Sequence, residues 1–255
     1  MRKTKVFTPV IMGVVLIVSV STFAAKGKSS QGIDDIAYPV VAAHRGGASI
    51  HPENTLAALK DTAESHPGMP LEMDIRAISD GTLVVMHDET VERVAVDATG
   101  LVADMTRHQW DTLQIQHPAG GEPAPATTLE EVVDEFKGTG APLIIEIKDP
   151  TIANSFIEMM LPIRDQVIAQ SFDVNIVDRL VQSGLSTLQL SGTPTRFHDG
   201  IEHVGVSNVN VTKQYVDQAH AKGIKVWVWG EDVTADMVDT DTRGVDGFIA
   251  DNPTR

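Results

Sequence analysis

The chain contains no cysteine in its 255 residues. Disulfide scaffolds and thiolate-bound zinc or iron–sulfur centres are therefore excluded, and any metal must be held by His, Asp, Glu or carbonyl oxygens. Cations are also scarce, with 20 Lys and Arg against 35 Asp and Glu and a net charge of −15. A surface of that sign is poorly suited to nucleic acid or an anionic membrane, and leaves room only for one basic pocket around a small anion. After Gln31 there is no repeat, no low-complexity tract and no second apolar run of membrane-spanning length. Nor does a G-x-G-x-x-G follow the first strand-like run, which argues against a dinucleotide site.

What is present begins with a leader. Arg2, Lys3 and Lys5 precede an apolar run over residues 6–25, and Thr22 and Ala24 form a small-x-small cleavage site. Residues 1–25 read as a secretory signal, predicting a periplasmic or secreted protein with no stable membrane insertion after cleavage. An uncleaved anchor is the alternative, since a run of about 20 residues spans a bilayer. Cleavage removes three cations and no acids, moving the net charge from −15 to −18. No cysteine follows the run to accept a lipid.

Residues 36–253 read as one domain. β-branched runs at 40–44, 71–75, 143–147, 167–171, 187–190, 204–207, 225–229 and 247–250 alternate with amphipathic stretches. This rhythm predicts an α/β fold, a TIM (β/α)8 barrel with a hairpin extension and insertion after strand 2. A doubly wound sheet is the structural alternative. Helix starts are marked at Asn54 or Thr55, at the capping box Thr128-Leu129-Glu130-Glu131, and at Thr212, whose helix stops by Gly223.

Some strands carry residues that a buried strand should lack. Alternation puts Glu72 and Asp74 on one face and Leu71, Met73 and Ile75 on the other; Glu146 and Lys148 likewise share a face. Burying unpaired carboxylates costs several kcal/mol, and Arg45 and Lys148 alone are too few to neutralise three. A hard divalent cation, Mg²⁺ or Ca²⁺, answers the deficit; a barrel mouth laced with ion pairs is the bland alternative. Ser79-Asp80-Gly81-Thr82 reads as a hairpin turn, and counting outward from the Asp80–Gly81 midpoint sets His87 opposite Asp74. His44 and Arg45 end the first strand, at the end where barrel enzymes keep their chemistry. Two imidazoles, a guanidinium, an ammonium and three carboxylates suit phosphoryl transfer.

These residues fall in an ordered series: His44-Arg45-Gly46 with Pro52-Glu53-Asn54-Thr55, then Glu72-Met73-Asp74, His87-Asp88 and Glu146-Ile147-Lys148. Ser171-Phe172, Val226-Trp227-Val228-Trp229 and the run from Asp246 to Pro253 extend it. The series resembles the glycerophosphodiester phosphodiesterases, TIM-barrel metalloenzymes that release an alcohol and glycerol 3-phosphate. The resemblance implies Glu72, Asp74 and Glu146 as metal ligands and His44 and His87 as the general acid/base pair. It also implies Arg45 as phosphate holder, Lys148 beside the metal or phosphate, and Trp229 in the substrate pocket, where barrel packing is the alternative. Residues 91–125 correspond to the family's insertion over the site. The chain departs from the family at Gly230-Glu231-Asp232, where Thr-Val-Asn is usual, and at Asp251-Asn252-Pro253, where Asp-Tyr-Pro is commoner. Both changes bear on the pocket for the alcohol. Glu53 and Phe172 receive no site role. A lysophospholipase D-type activity on the same barrel, a non-catalytic periplasmic binder and a purely structural barrel are the competing readings.

Overall fold

The β-branched runs become strands because their alternate side chains have two different places to go. In the computed structural model, which describes Met1 and residues 32–254, the elements follow in chain order. They are β1 (Val40–Ala43), α1 (Leu56–Ser65), β2 (Leu71–Ala77), β3 (Leu83–Val85), α2 (Arg107–Thr112), β4 (Gln114–Ile115), β5 (Ala124–Pro125), α3 (Leu129–Phe136) and β6 (Leu143–Ile147). Then come α4 (Ala153–Met160), β7 (Val167–Ser171), α5 (Val174–Ser183), β8 (Ser186–Ser191), β9 (His203–Ser207), α6 (Lys213–His220), β10 (Lys225–Trp229), α7 (Met237–Thr240) and β11 (Gly247–Ala250). Each of the eight predicted runs is a strand. The leader predicted over residues 1–25 lies outside the described residues, apart from Met1.

The eight strands β1, β2, β6, β7, β8, β9, β10 and β11 pair in parallel in that order. The sheet closes because β1 pairs with β11 along its length and with β2 through Ala43 and Leu71. This is the TIM barrel. Its outward residues, such as Leu71, Met73, Ile75, Leu143 and Ile145, pack under Leu129, Val132, Phe136 and Phe156 of the helices. Inward residues form a second core, with Ala42, Ile144, Ile168, Leu188, Trp227 and Ile249 filling the barrel. One step further along the same inward series, the apolar layer gives way to Glu146 and Gln170, which are paired in register with each other, and to Asp74, paired with Glu146.

Thr55 caps α1 and Thr212 caps α6, and Thr128 with Glu131 forms the reciprocal capping box of α3. Asn54 is thereby freed from the capping role. The β8–β9 connection, residues 192–202, carries no helix; Phe197 from it packs on Tyr215 of α6, ring centroids 5.0 Å apart. Among the described residues no helix is long and apolar enough to cross a membrane.

The hairpin forms, with a register one residue away from expectation. Ile75 pairs with Val85, and the Met86 amide donates to the Asp74 carbonyl at 2.8 Å, so Asp74 faces Met86 rather than His87. The cause is the turn: Ile78 and Thr82 close a three-residue loop, Ser79–Asp80–Gly81, with Gly81 at φ 87°. An odd loop centres the hairpin on Asp80, as the left-handed residue of such loops requires. Residues 91–125 then pack their own core, built on Trp110, against Ile78, Val84 and Met86.

Candidate active site

At the C-terminal end of the barrel a cavity of about 500 Å³ is lined by His44, Arg45, Glu72, His87, Glu146, Lys148 and Trp229. Seven of the eight predicted site residues thus meet there; the eighth, Asp74, is buried among them. The first strand ends in a backbone device that builds one wall. Arg45 is held at φ 52° and is followed by Gly46 at φ 78° and Gly47 at φ 101°. A Cβ on Gly46 would stand 3.0 Å from that of Ala58. This left-handed turn aims the Arg45 amide at Glu72 Oε2, 2.9 Å away. Non-glycine residues rarely hold such angles, and where they do the surrounding structure enforces them. Asn54, at φ 57°, is the second case: its side chain donates to Asp74 Oδ2 at 3.0 Å and accepts from the Asp74 amide at 3.1 Å.

Glu72, Asp74 and Glu146 each bring a carboxylate oxygen within 4.8 Å of the others. Two cations pair directly with Asp74 and Glu146, and neither with Glu72. Lys148 Nζ lies 3.0 Å from Asp74 and 2.8 Å from Glu146, and Arg45 Nε lies 3.4 Å from Asp74. Burial and the neighbouring Asp74 charge push Glu72 up to about 7 and Glu146 up to about 8. Asp74 is buried too, but Lys148 and Arg45 hold it well below the usual carboxylate range. Gln170 donates to Glu72 at 2.8 Å, while its own carbonyl oxygen is buried and unpartnered. A cluster of oxygen donors short of positive charge, beside an orphaned carbonyl, fits a hard divalent cation.

The two imidazoles are held by carboxylates of their own. His44 Nδ1–H donates to Asp251 at 2.5 Å, leaving Nε2 toward the cavity, 3.9 Å from Glu72. Burial opposes a charge on this ring, yet Glu72 and Asp251 raise its pKa above the ordinary value. His87 Nδ1–H donates to Asp88 at 2.6 Å. Here burial and Arg45 prevail over Asp74, and the pKa is lowered.

Arg93, from the insertion, ties the walls together. It donates to both oxygens of Glu53 at 2.7 Å and to Asp88 at 2.5 Å. Glu53 in turn accepts from Arg45 at 3.0 Å. A chain of contacts therefore runs from Arg45 through Glu53, Arg93 and Asp88 to His87. Sequence reasoning gave no site place to Arg93, Glu53, Asp251 or Gln170. Gln170 carried a signal, a polar inward residue in the otherwise apolar run of β7, and Asp251 stood within the matching terminal motif. Arg93 carried none.

The model of the Glycerophosphoryl diester phosphodiesterase family matches residues 44–255. A glycerophosphodiester phosphodiesterase of Caldanaerobacter subterraneus subsp. tengcongensis is 31% identical over 235 residues, covering 84% of this chain and 94% of its own. A probable glycerophosphodiester phosphodiesterase 1 of Mycobacterium tuberculosis is 29% identical, covering 78% of this chain and 84% of its own. Among solved structures, a phosphodiesterase of Silicibacter pomeroyi superposes with a TM-score of 0.74 at 21% identity, covering 89% of this chain and 92% of its own. An Oleispira antarctica phosphodiesterase, solved with the product sn-glycerol-3-phosphate, gives 0.72 at 20% identity, covering 85% and 94%. The chain belongs to the glycerophosphoryl diester phosphodiesterase family, and with it to the phosphoric diester hydrolases.

Proposed function

We propose that the protein hydrolyses glycerophosphodiesters to an alcohol and glycerol 3-phosphate, with Glu72, Asp74 and Glu146 holding one divalent cation, Mg²⁺ or Ca²⁺. The observation that carries this reading is the convergence of three under-neutralised carboxylates and two imidazoles of opposite protonation tendency on one cavity. When bound, such a cation neutralises non-bridging phosphate oxygens. Arg45 contributes a guanidinium to the same phosphate, held in place by Glu53. Lys148 supplies the second fixed positive charge.

His87, kept neutral, offers Nε2 as the base that takes a proton from the nucleophile. That nucleophile is either a water, which gives glycerol 3-phosphate directly, or the glycerol 2-hydroxyl, which gives a cyclic phosphate that a water then opens to glycerol 3-phosphate. His44 is the acid that protonates the departing alkoxide. Glu72, 3.9 Å from Nε2, and Asp251, which accepts from Nδ1–H, both favour the proton on His44, and the Asp251 bond is made on the ring nitrogen facing away from the carboxylate cluster. Pairs of titratable groups pushed apart in this way divide the acid and base roles. Trp229 lines the side of the cavity where the alcohol leaves. Export through the leader at residues 1–25 would place the activity outside the cytoplasm.

Product analysis on a panel of glycerophosphodiesters with Mg²⁺ or Ca²⁺ tests the reading. Free alcohol and glycerol 3-phosphate in equal amounts are expected. Absence of turnover, or free glycerol with a phosphorylated alcohol, would contradict it.

A further inference from the structure

The cavity is divided by charge. Its three cations, Arg45, Arg93 and Lys148, come from the turn after β1, the insertion and the end of β6. The facing wall, from β7, β8, β10, β11 and the turns after them, presents Phe172, Leu190, Trp229, Glu231 and Ile249 beside Gln170 and Asp251, which are bonded to Glu72 and His44, and it has no Lys or Arg. Phe172 is 49% exposed and meets Trp229 edge to face, with centroids 5.4 Å apart and planes at 84°. Two rings therefore form an aromatic corner open to the cavity.

Glu231, two residues past Trp229, stands on the rim of this corner. Four other carboxylates lining the cavity are engaged: Glu53 by Arg45 and Arg93, Glu72 by Gln170, Glu146 by Lys148, and Asp251 by His44. Glu231 has no hydrogen-bond or ion-pair partner among the described residues. An unengaged carboxylate beside an aromatic corner and two aliphatic side chains, across from three cations, is the complement of a zwitterion.

Resting on the reading above, we infer that the preferred substrate is a glycerophosphodiester whose alcohol carries a quaternary ammonium group. The phosphate lies against the cationic wall and the ammonium against Phe172, Trp229 and Glu231. A quaternary ammonium needs no hydrogen-bond acceptor, gains from aromatic faces and places methyl groups on apolar surface. A primary ammonium carries three donors, and this wall offers Glu231 as its one unengaged carboxylate. Glu231, the one cavity-lining carboxylate without a partner among the described residues, is the specificity determinant.

The test compares kcat/KM for glycerophosphocholine with that for the 3,3-dimethylbutyl ester of glycerol 3-phosphate, in which a carbon replaces the charged nitrogen without changing shape. The metal-loaded enzyme is expected to prefer the choline ester by about tenfold, the scale of a desolvated cation–π contact. Glu231→Gln and Phe172→Leu should each shrink that ratio by about threefold, the lower end of that scale. A wild-type ratio near one, or a ratio that neither variant moves, overturns the inference while leaving the hydrolase reading intact. No turnover of either ester or of glycerophosphoglycerol would remove both.

Discussion

The two ends of the barrel use the same residue types to opposite effect. At the N-terminal floor Asp246 accepts from His220 at 2.6 Å, from Lys225 at 2.9 Å and from the Val226 amide at 2.8 Å. His203 accepts the Trp227 indole N–H at 3.1 Å, and Lys225 lies 4.8 Å above the Tyr38 ring. One carboxylate there has three donors. At the mouth, three buried carboxylates share Lys148, Arg45, Gln170, Asn54 and one backbone amide. Histidine, carboxylate and lysine together therefore do not mark a site; the ratio of carboxylates to cations does. A closed network stabilises the fold, whereas an open one stores the charge deficit that a ligand can relieve.

The largest effects should separate chemistry from stability. Ala at His44 or His87 is expected to lower kcat by about 10²–10⁴-fold with little change in melting temperature. Near-normal kcat in either variant would remove that imidazole from the acid/base pair.

Opposite pH dependences of stability come next. Burial lowers His203 from 6.5 to about 4, so the unfolded chain takes up a proton in that range while the folded chain does not. Its stabilising effect is complete above the unfolded value and is lost as pH falls toward 4, by about 3 kcal/mol in all. At the mouth the sign reverses. Glu72 and Glu146 rise from 4.5 to about 7 and 8, so metal-free protein loses stability as pH climbs through that window. Denaturant midpoints measured against pH in chelator would show both, and His203→Gln should flatten only the acid limb. An unchanged acid limb in that variant would show that the floor histidine is not the titrating group.

A matched pair of carboxylate-to-amide changes sharpens the contrast further. Asp246→Asn is expected to cost about 2 kcal/mol, since it leaves charged donors without their acceptor. Glu146→Gln should stabilise metal-free protein near neutral pH by on the order of 1 kcal/mol, because folding no longer has to neutralise a carboxylate that is charged in the unfolded chain. Thermal melts at one pH suffice, and equal signs would erase the distinction between the two ends.

A smaller effect is expected at the link between the insertion and the barrel. Arg93→Lys keeps the charge but loses the two-pronged grip on Glu53, and should lower kcat about tenfold. A change in KM alone would mean that Arg93 acts only through its charge on the cationic wall and does not position Glu53 and Asp88.

Most of the mouth is readable from strand alternation, because Glu72, Asp74 and Glu146 interrupt apolar runs on the face that turns inward. Gln170 obeys the same rule. The hairpin register differs from expectation by one residue because an Asp-Gly pair fits both even and odd loops, and only the Ile78–Thr82 closure tells them apart. Arg93 is not legible in the sequence at all. Its direction depends on how Trp110 and its neighbours pack on Val84 and Met86, which is a tertiary fact. The missing helix between β8 and β9 is equally hidden, since Gly192-Thr193-Pro194 marks a loop but is compatible with a helix either present or absent before β9.

The central claim is that the mouth's charge deficit is met by a divalent cation. It is tested by assaying glycerophosphodiester hydrolysis on protein stripped with chelator, shown metal-free by elemental analysis, and then reloaded. The account predicts no turnover when stripped, recovery with one Mg²⁺ or Ca²⁺ per chain, and no recovery in Asp74→Asn. Full turnover in verified metal-free protein would contradict it.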